Sequence, residues 1–95
     1  MSLEVRWSNT AEITFEAVYD FVINQWGFQI AERFRNQVSR ILAQISIHPF
    51  SFQESSLKNV RKAVVSKYTS FFYEVFEHHI LLVFFWDNRQ QPIFI

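Results

Sequence analysis

Apolar and polar residues alternate over Leu3-Glu4-Val5-Arg6-Trp7, the period of a half-buried strand, until Ser8 and Asn9 interrupt it. Asn9 followed three residues later by Glu12 has the form of a capping box and opens a helical pattern. Ala11, Phe15, Val18, Val22 and Trp26 recur at steps of three or four, and Gly27 follows where a left-handed backbone is needed to end a helix. Ile30, Phe34, Val38, Ile41 and Ile45 make a second apolar stripe, with Arg33, Arg35, Asn36 and Arg40 largely on the other side. The spacing predicts helices over residues 9–26 and 28–46, joined by a tight turn into an α-helical hairpin.

His48 reads as the C-terminal residue of the second helix, because Pro49 cannot continue it. Residues 48–58, with Ser51, Ser55 and Ser56, read as an irregular connection. Beyond it the apolar period changes to two. Val60–Val65, Thr69–Phe76 and His79–Trp86 are β-branched and aromatic runs, separated by Ser66-Lys67 and Glu77-His78. The predicted class is α+β in the order β-α-α-β-β-β: an N-terminal strand, the helical hairpin, then a three-stranded antiparallel meander, all in one domain over residues 1–95. Pattern alone does not place the first strand in the sheet.

An antiparallel sheet covered by helices on one face is expected to alternate in polarity. Ile80 to Trp86 is apolar throughout, and Phe71, Phe72, Tyr73, Val75 and Phe76 come close to it. Two short helices cover only one face. The other is expected to meet a loop, the C-terminal Ile93-Phe94-Ile95, a second copy of the chain, or a different protein. Phe84, Trp86 and Phe94 are the candidate partner-binding anchors, since aromatic side chains bury a large area at low entropic cost.

Composition sharpens the picture in three ways. With 49% hydrophobic residues, twelve of them Phe, and no Cys, a chain of 95 residues depends on its core, without disulfides or a thiolate metal site. The longest apolar run, Ile80–Trp86, is far shorter than the roughly 20 residues of a membrane-spanning helix, and no signal peptide is recognisable; a cytoplasmic protein without a membrane is expected. Nine basic and nine acidic residues cancel, which argues against holding nucleic acid by bulk charge. The balance is uneven, however. Residues 1–56 have four Lys/Arg against six Asp/Glu, net −2, and residues 57–95 have five against three, net +2, so a polyanion is expected to meet the C-terminal half.

No Gly-rich phosphate loop or Ser-nucleophile motif is present, and no cofactor is expected. His78 and His79, adjacent on a strand, point to opposite faces and read as part of a hairpin turn rather than as metal ligands. Glu12, Glu16 and Asp20 follow helical spacing and read as a solvated face. Lys58, Arg61, Lys62 and Lys67 have no acidic residue among them and interleave with Tyr68 and Phe71, a pattern that fits either nucleic-acid contacts or ordinary edge charges.

The element order and several local patterns resemble the RelE/ParE superfamily of bacterial toxins, which includes plasmid-stabilisation proteins. The likeness spans nearly the whole chain. It rests on Ala11…Val18-Tyr19…Val22, on Ala31-Glu32-Arg33-Phe34 after Gly27, and on His48-Pro49. Above all it rests on Arg61, Lys67-Tyr68, Phe72-Tyr73-Glu74-Val75 and Asp87-Asn88-Arg89-Gln90-Gln91-Pro92 after the apolar strand. The resemblance implies the toxin of a type II toxin–antitoxin pair, held inactive by a cognate antitoxin, with a homodimer as a further possible assembly.

Two activities follow from it. RelE-like members cut messenger RNA on the ribosome without a metal, using strand cations, an Arg after the fourth strand, and a Tyr or His in the tail to move protons and stabilise phosphate charge. By resemblance Arg61, Lys62 and Arg89 fall on catalytic positions of this surface, with Lys67 and Tyr68 beside them. Thr69 and Ser70 stand where the third-strand Arg is expected, and the tail Gln-Gln-Pro-Ile-Phe-Ile has neither Tyr nor His. ParE-like members lack the nuclease set and poison DNA gyrase by protein contact. The depleted set is closer to theirs, and a degenerate toxin that only binds its antitoxin is the third reading.

Overall fold

The structure, a computed structural model, describes residues 2–88. The chain forms β1 (Glu4–Trp7), α1 (Asn9–Trp26), α2 (Phe28–Ile47), β2 (Val60–Val64), β3 (Thr69–Val75) and β4 (His79–Asp87), the predicted β-α-α-β-β-β order. The three later strands form the expected antiparallel meander. β1 adds to the outer side of β4 in parallel, with Val5 opposite Ile80 and Trp7 opposite Leu82, so the sheet is mixed and its order is β1-β4-β3-β2. The helical hairpin carries the chain from β1 to β2 at the opposite edge, and the two reversals of the meander then bring β4 beside β1 in the same direction.

The cap of α1 differs from expectation. Ser8, not Asn9, is the N-cap: its hydroxyl accepts from Ala11 N at 2.9 Å and donates to Val83 O at 2.7 Å. A Ser at this site satisfies a helix terminus and a strand edge together, which Asn9, already inside the helix, does not. Gly27 ends α1 at φ 92° and ψ 174°, a conformation open essentially only to glycine, and its N–H bonds Ile23 O at 2.9 Å. His48 ends α2 as its C-cap.

Phe34, Val38, Ile41 and Ile45 of α2 and Ala11 of α1 meet Ala63, Phe71, Tyr73, Ile80, Leu82 and Phe85 on one face of the sheet. The apolar run of β4 resolves at an irregularity. Phe72 pairs with Phe84 and Tyr73 with Leu82, leaving Val83 as the extra residue of a bulge. Ile80 and Leu82 face the helices before it, and Phe85 does so after it, although their numbers differ in parity. Past Trp7 the β1 side of β4 has no strand neighbour among the described residues; the start of α1 takes over instead. Ser8 N donates to Leu82 O at 3.0 Å, and the Thr14 hydroxyl accepts from Phe85 N at 3.0 Å.

Candidate functional site

Both helical stripes run further than the sheet beneath them. At the hairpin tip Trp26 is 52% exposed and Ile30 is 37% exposed, although Ile30 continues the buried stripe of α2 and Trp26 a stripe of α1 that is buried at Ala11 and half-buried at Phe15, Val18 and Val22. The overrun leaves a cleft of about 800 Å³. Val18, Phe21, Val22 and Trp26 of α1 form one wall, and Ile30, Phe34 and Gln37 of α2 the other. Val65, Ser66, Tyr68 and Thr69 around the β2–β3 turn, with Asp87 at the end of β4, close one end. Its surface is mainly apolar, but Arg33 and Arg40 stand along the α2 side. Seven residues are two helical turns, so these two side chains leave the same side of α2 about 10.5 Å apart.

The sheet-side closure is held by hydrogen bonds. Asn88 N donates to Tyr68 O at 2.8 Å, and the hydroxyl of fully buried Ser70 donates to Asn88 Oδ1 at 2.7 Å. The end of β4 and the β2–β3 turn therefore form one unit at the cleft mouth.

The basic residues near β2 are not brought together. Arg61 and Lys62 are neighbours on a strand and so leave it on opposite faces. Arg61 turns to the 49–54 connection. Its guanidinium donates to Phe52 O at 2.6 Å, lies 3.5 Å from Glu54, and sits over the Phe50 ring at 4.9 Å. Glu54 also forms an isolated bridge opposite Arg61, so this connection covers the free edge of β2. Beside it the Tyr73 hydroxyl donates to Pro49 O at 2.9 Å. Burial raises the Tyr73 phenol above its usual value of 10.0, while the Arg61 charge pulls the other way. Lys62, by contrast, lies 5.9 Å from the Phe72 ring on the far face. Lys67 stacks over Tyr68 at 5.5 Å in the exposed β2–β3 turn, beside the cleft.

A separate cluster fastens the two helices. The Tyr19 hydroxyl donates to Glu32, which also pairs with Arg35 at 3.3 Å, and Arg35 covers the Tyr19 ring at 4.8 Å. The hydrogen bond to Glu32 raises the Tyr19 phenol above its usual value, with burial adding to it.

Residues 5–92 match the family model described as the ParE toxin of the type II toxin–antitoxin system parDE. The chain belongs to the ParE toxin family. The chain is also similar in fold to a chromosomal ParDE toxin–antitoxin system from P. aeruginosa, with TM-score 0.77 and 15% identity over 90% of this chain and 96% of that one. A YoeB dimer from Staphylococcus aureus gives TM-score 0.61 and 15% identity over 88% and 94%. The E. coli DinJ–YafQ toxin–antitoxin complex gives 0.62 and 8% over 94% and 96%. No curated protein matches the chain by sequence.

In this ParE-family chain the expected partner anchors Phe84 and Trp86 lie half-buried on the sheet face away from the helices. Phe84 stacks on Phe72 at 4.7 Å and meets Trp86 edge-on at 6.1 Å. Arg89 and Phe94 lie outside the described residues. The cleft was missed from sequence, because Trp26 and Ile30 have the same spacing as core residues; the aromatic crowding of Phe21, Trp26 and Phe28 around the lone glycine was the available signal. Among the described residues there is no group of three or more His, Asp or Glu able to hold a metal, and no helix long and apolar enough to cross a membrane.

Proposed function

We propose that this chain is the toxin of a type II toxin–antitoxin pair that acts by protein contact on DNA gyrase and is restrained by a cognate antitoxin in the cytoplasm. The observation that carries the reading is the match of residues 5–92 to the ParE toxin family. The engagement of Arg61 supports it as well. A guanidinium bonded to Phe52 O, paired with Glu54 and stacked on Phe50 is spent on the fold, whereas a phosphate-stabilising cation has to be available to substrate. Solved toxin–antitoxin complexes of similar fold support an antitoxin as the partner. The sheet face with Lys62, Phe84 and Trp86 and the β2–β3 turn with Lys67 and Tyr68 are the surfaces proposed for target and antitoxin, and Arg89 and Phe94, outside the described residues, are proposed contacts as well.

Induction in bacterial cells tests the proposal, with gyrase-dependent DNA breaks and ribosome-dependent messenger cleavage scored in parallel. DNA breaks without messenger cleavage are expected. Messenger cleavage that disappears in Arg89→Ala at equal expression would overturn the gyrase reading in favour of a metal-independent endoribonuclease. Neither signal, in a chain that still binds the neighbouring gene's product, would mark a degenerate toxin.

A further inference from the structure

Phe71 and Tyr73 face the helices and belong to the core, so Phe72 between them faces away. It is nevertheless only 3% exposed, and Ser70 on the same face is fully buried. Among the described residues the helices pack on the other face and the 49–54 connection follows the free edge of β2, so the elements that bury the core do not reach Phe72. Phe84 and Lys62 flank its ring from the adjacent strands, and side chains standing side by side on a sheet leave their outer ends to whatever lies above. The burial is also local. It is deep at Ser70 and Phe72 and partial at Phe84 and Trp86, but Val64 on β2 is 56% exposed and Phe76, past the far end of β3, is 39% exposed. The covered area is the β3–β4 half of the face, at the end where Asp87 and Asn88 leave the sheet.

In a single chain only its own residues can supply that cover, and those outside the described range are Met1 and residues 89–95. Met1 precedes β1, whose start pairs with His79 at the opposite end of β4. Residues 89–95 begin beside the covered area, and their sequence divides into Arg-Gln-Gln-Pro, suited to a turn, and the apolar Ile93-Phe94-Ile95. Phe84 lies four residues back along β4 from Asn88, about 14 Å, and Phe94 lies six residues beyond it, up to about 20 Å of chain. The reach suffices for the Phe94 ring to return above Phe84 and Phe72. We propose that Ile93-Phe94-Ile95 folds back over the β3–β4 half of the outer sheet face and seats Phe94 on Phe72, Phe84 and Trp86, closing a second, smaller core. A third aromatic layer there removes a large apolar area from water at low entropic cost. Phe84 and Trp86 are then interior residues of the free chain, and a partner that uses them as anchors reaches them only by lifting this segment. The proposal holds whichever target the chain acts on.

Nuclear magnetic resonance of the full-length, isotope-labelled chain tests the placement directly. Nuclear Overhauser contacts from the Phe94 ring to Phe72 and Phe84, with the methyl groups of Ile93 and Ile95 shifted by the rings beneath them, are expected. Random-coil shifts over 93–95 without such contacts overturn the proposal, and this measurement needs no variant to fold. Phe94→Ala is expected to lower the thermal midpoint by about 6–20 °C, as for a half-buried Phe in a domain of this size, and Phe94→Leu to recover most of the loss. The bared rings of Phe94→Ala are expected to raise the fluorescence of the apolar dye anilinonaphthalene sulfonate severalfold above the wild-type signal. A Phe94→Ala midpoint within about 2 °C of wild type, with unchanged dye fluorescence, overturns the second core.

Discussion

Thr14→Val removes one oxygen and leaves the side-chain shape nearly unchanged, so it isolates the bond that ties α1 to β4. The Thr14 hydroxyl accepts from Phe85 N at 3.0 Å and donates to Thr10 O at 2.7 Å. The bond to Thr10 is local to the helix and contributes little. The bond to Phe85 is different, because β1 has ended and among the described residues no strand offers that N–H another acceptor. Leaving a part-buried N–H unsatisfied costs about 1–3 kcal/mol. In a domain of this size each kcal/mol moves the midpoint by about 4–8 °C, so a fall of about 4–24 °C is expected for Thr14→Val. Thr14→Ser keeps the oxygen and is expected to recover most of the loss. Thermal and urea unfolding followed by far-UV circular dichroism measure the difference, and amide exchange at Phe85 reports the site itself. A Thr14→Val protein within about 0.5 kcal/mol of wild type, or a Thr14→Ser protein just as damaged, would refute the assignment.

Arg61→Ala is expected to lower stability by about 1.5–3 kcal/mol through loss of the charge-assisted bond to Phe52 O, whereas Lys62→Ala is expected to stay within about 0.5 kcal/mol; equal effects in urea unfolding would show that Arg61 does not anchor the 49–54 connection. Tyr73 gives a pH signature. Its folded phenol holds its proton more tightly than the unfolded one, so stability is unaffected below about pH 10 and falls above it, where only the unfolded chain has released the proton. Tyr73→Phe is expected to flatten that decline in alkaline urea titrations while losing the Pro49 bond at every pH, and an unchanged slope would contradict the assignment.

The helices and strands were legible because the period of apolar residues reports which side of an element meets the core. What period does not report is how far the opposing layer extends. Trp26 and Ile30 satisfy their stripes as well as Val22 and Phe34 do, but they stand exposed at the hairpin tip, whereas Val22 is half-buried and Phe34 buried. The bulge at Val83 was illegible for another reason: an uninterrupted apolar run has no alternation whose reversal could mark an inserted residue. Local sequence does not distinguish Ser8 from Asn9 as the cap, because half of Ser8's role lies with Val83 O, 75 residues away. The opposite directions of Arg61 and Lys62, in contrast, follow from adjacency on a strand and were open to reading before any coordinates.

The placement of the cleft beside the end of β4 constrains how function can be probed there. Ser70 is fully buried and bonded to Asn88, whose amide nitrogen in turn donates to Ser66 O at 3.4 Å, so the wall that presents Tyr68 depends on polar groups inside the fold. Substituting Ser70 or Asn88 would leave a buried partner unsatisfied and move the wall, mixing a loss of stability with a loss of binding. Arg33 and Arg40 stand on the opposite wall, exposed and outside that network. A change of charge there leaves that network intact, so its effect on stability is expected to stay within about 0.5 kcal/mol.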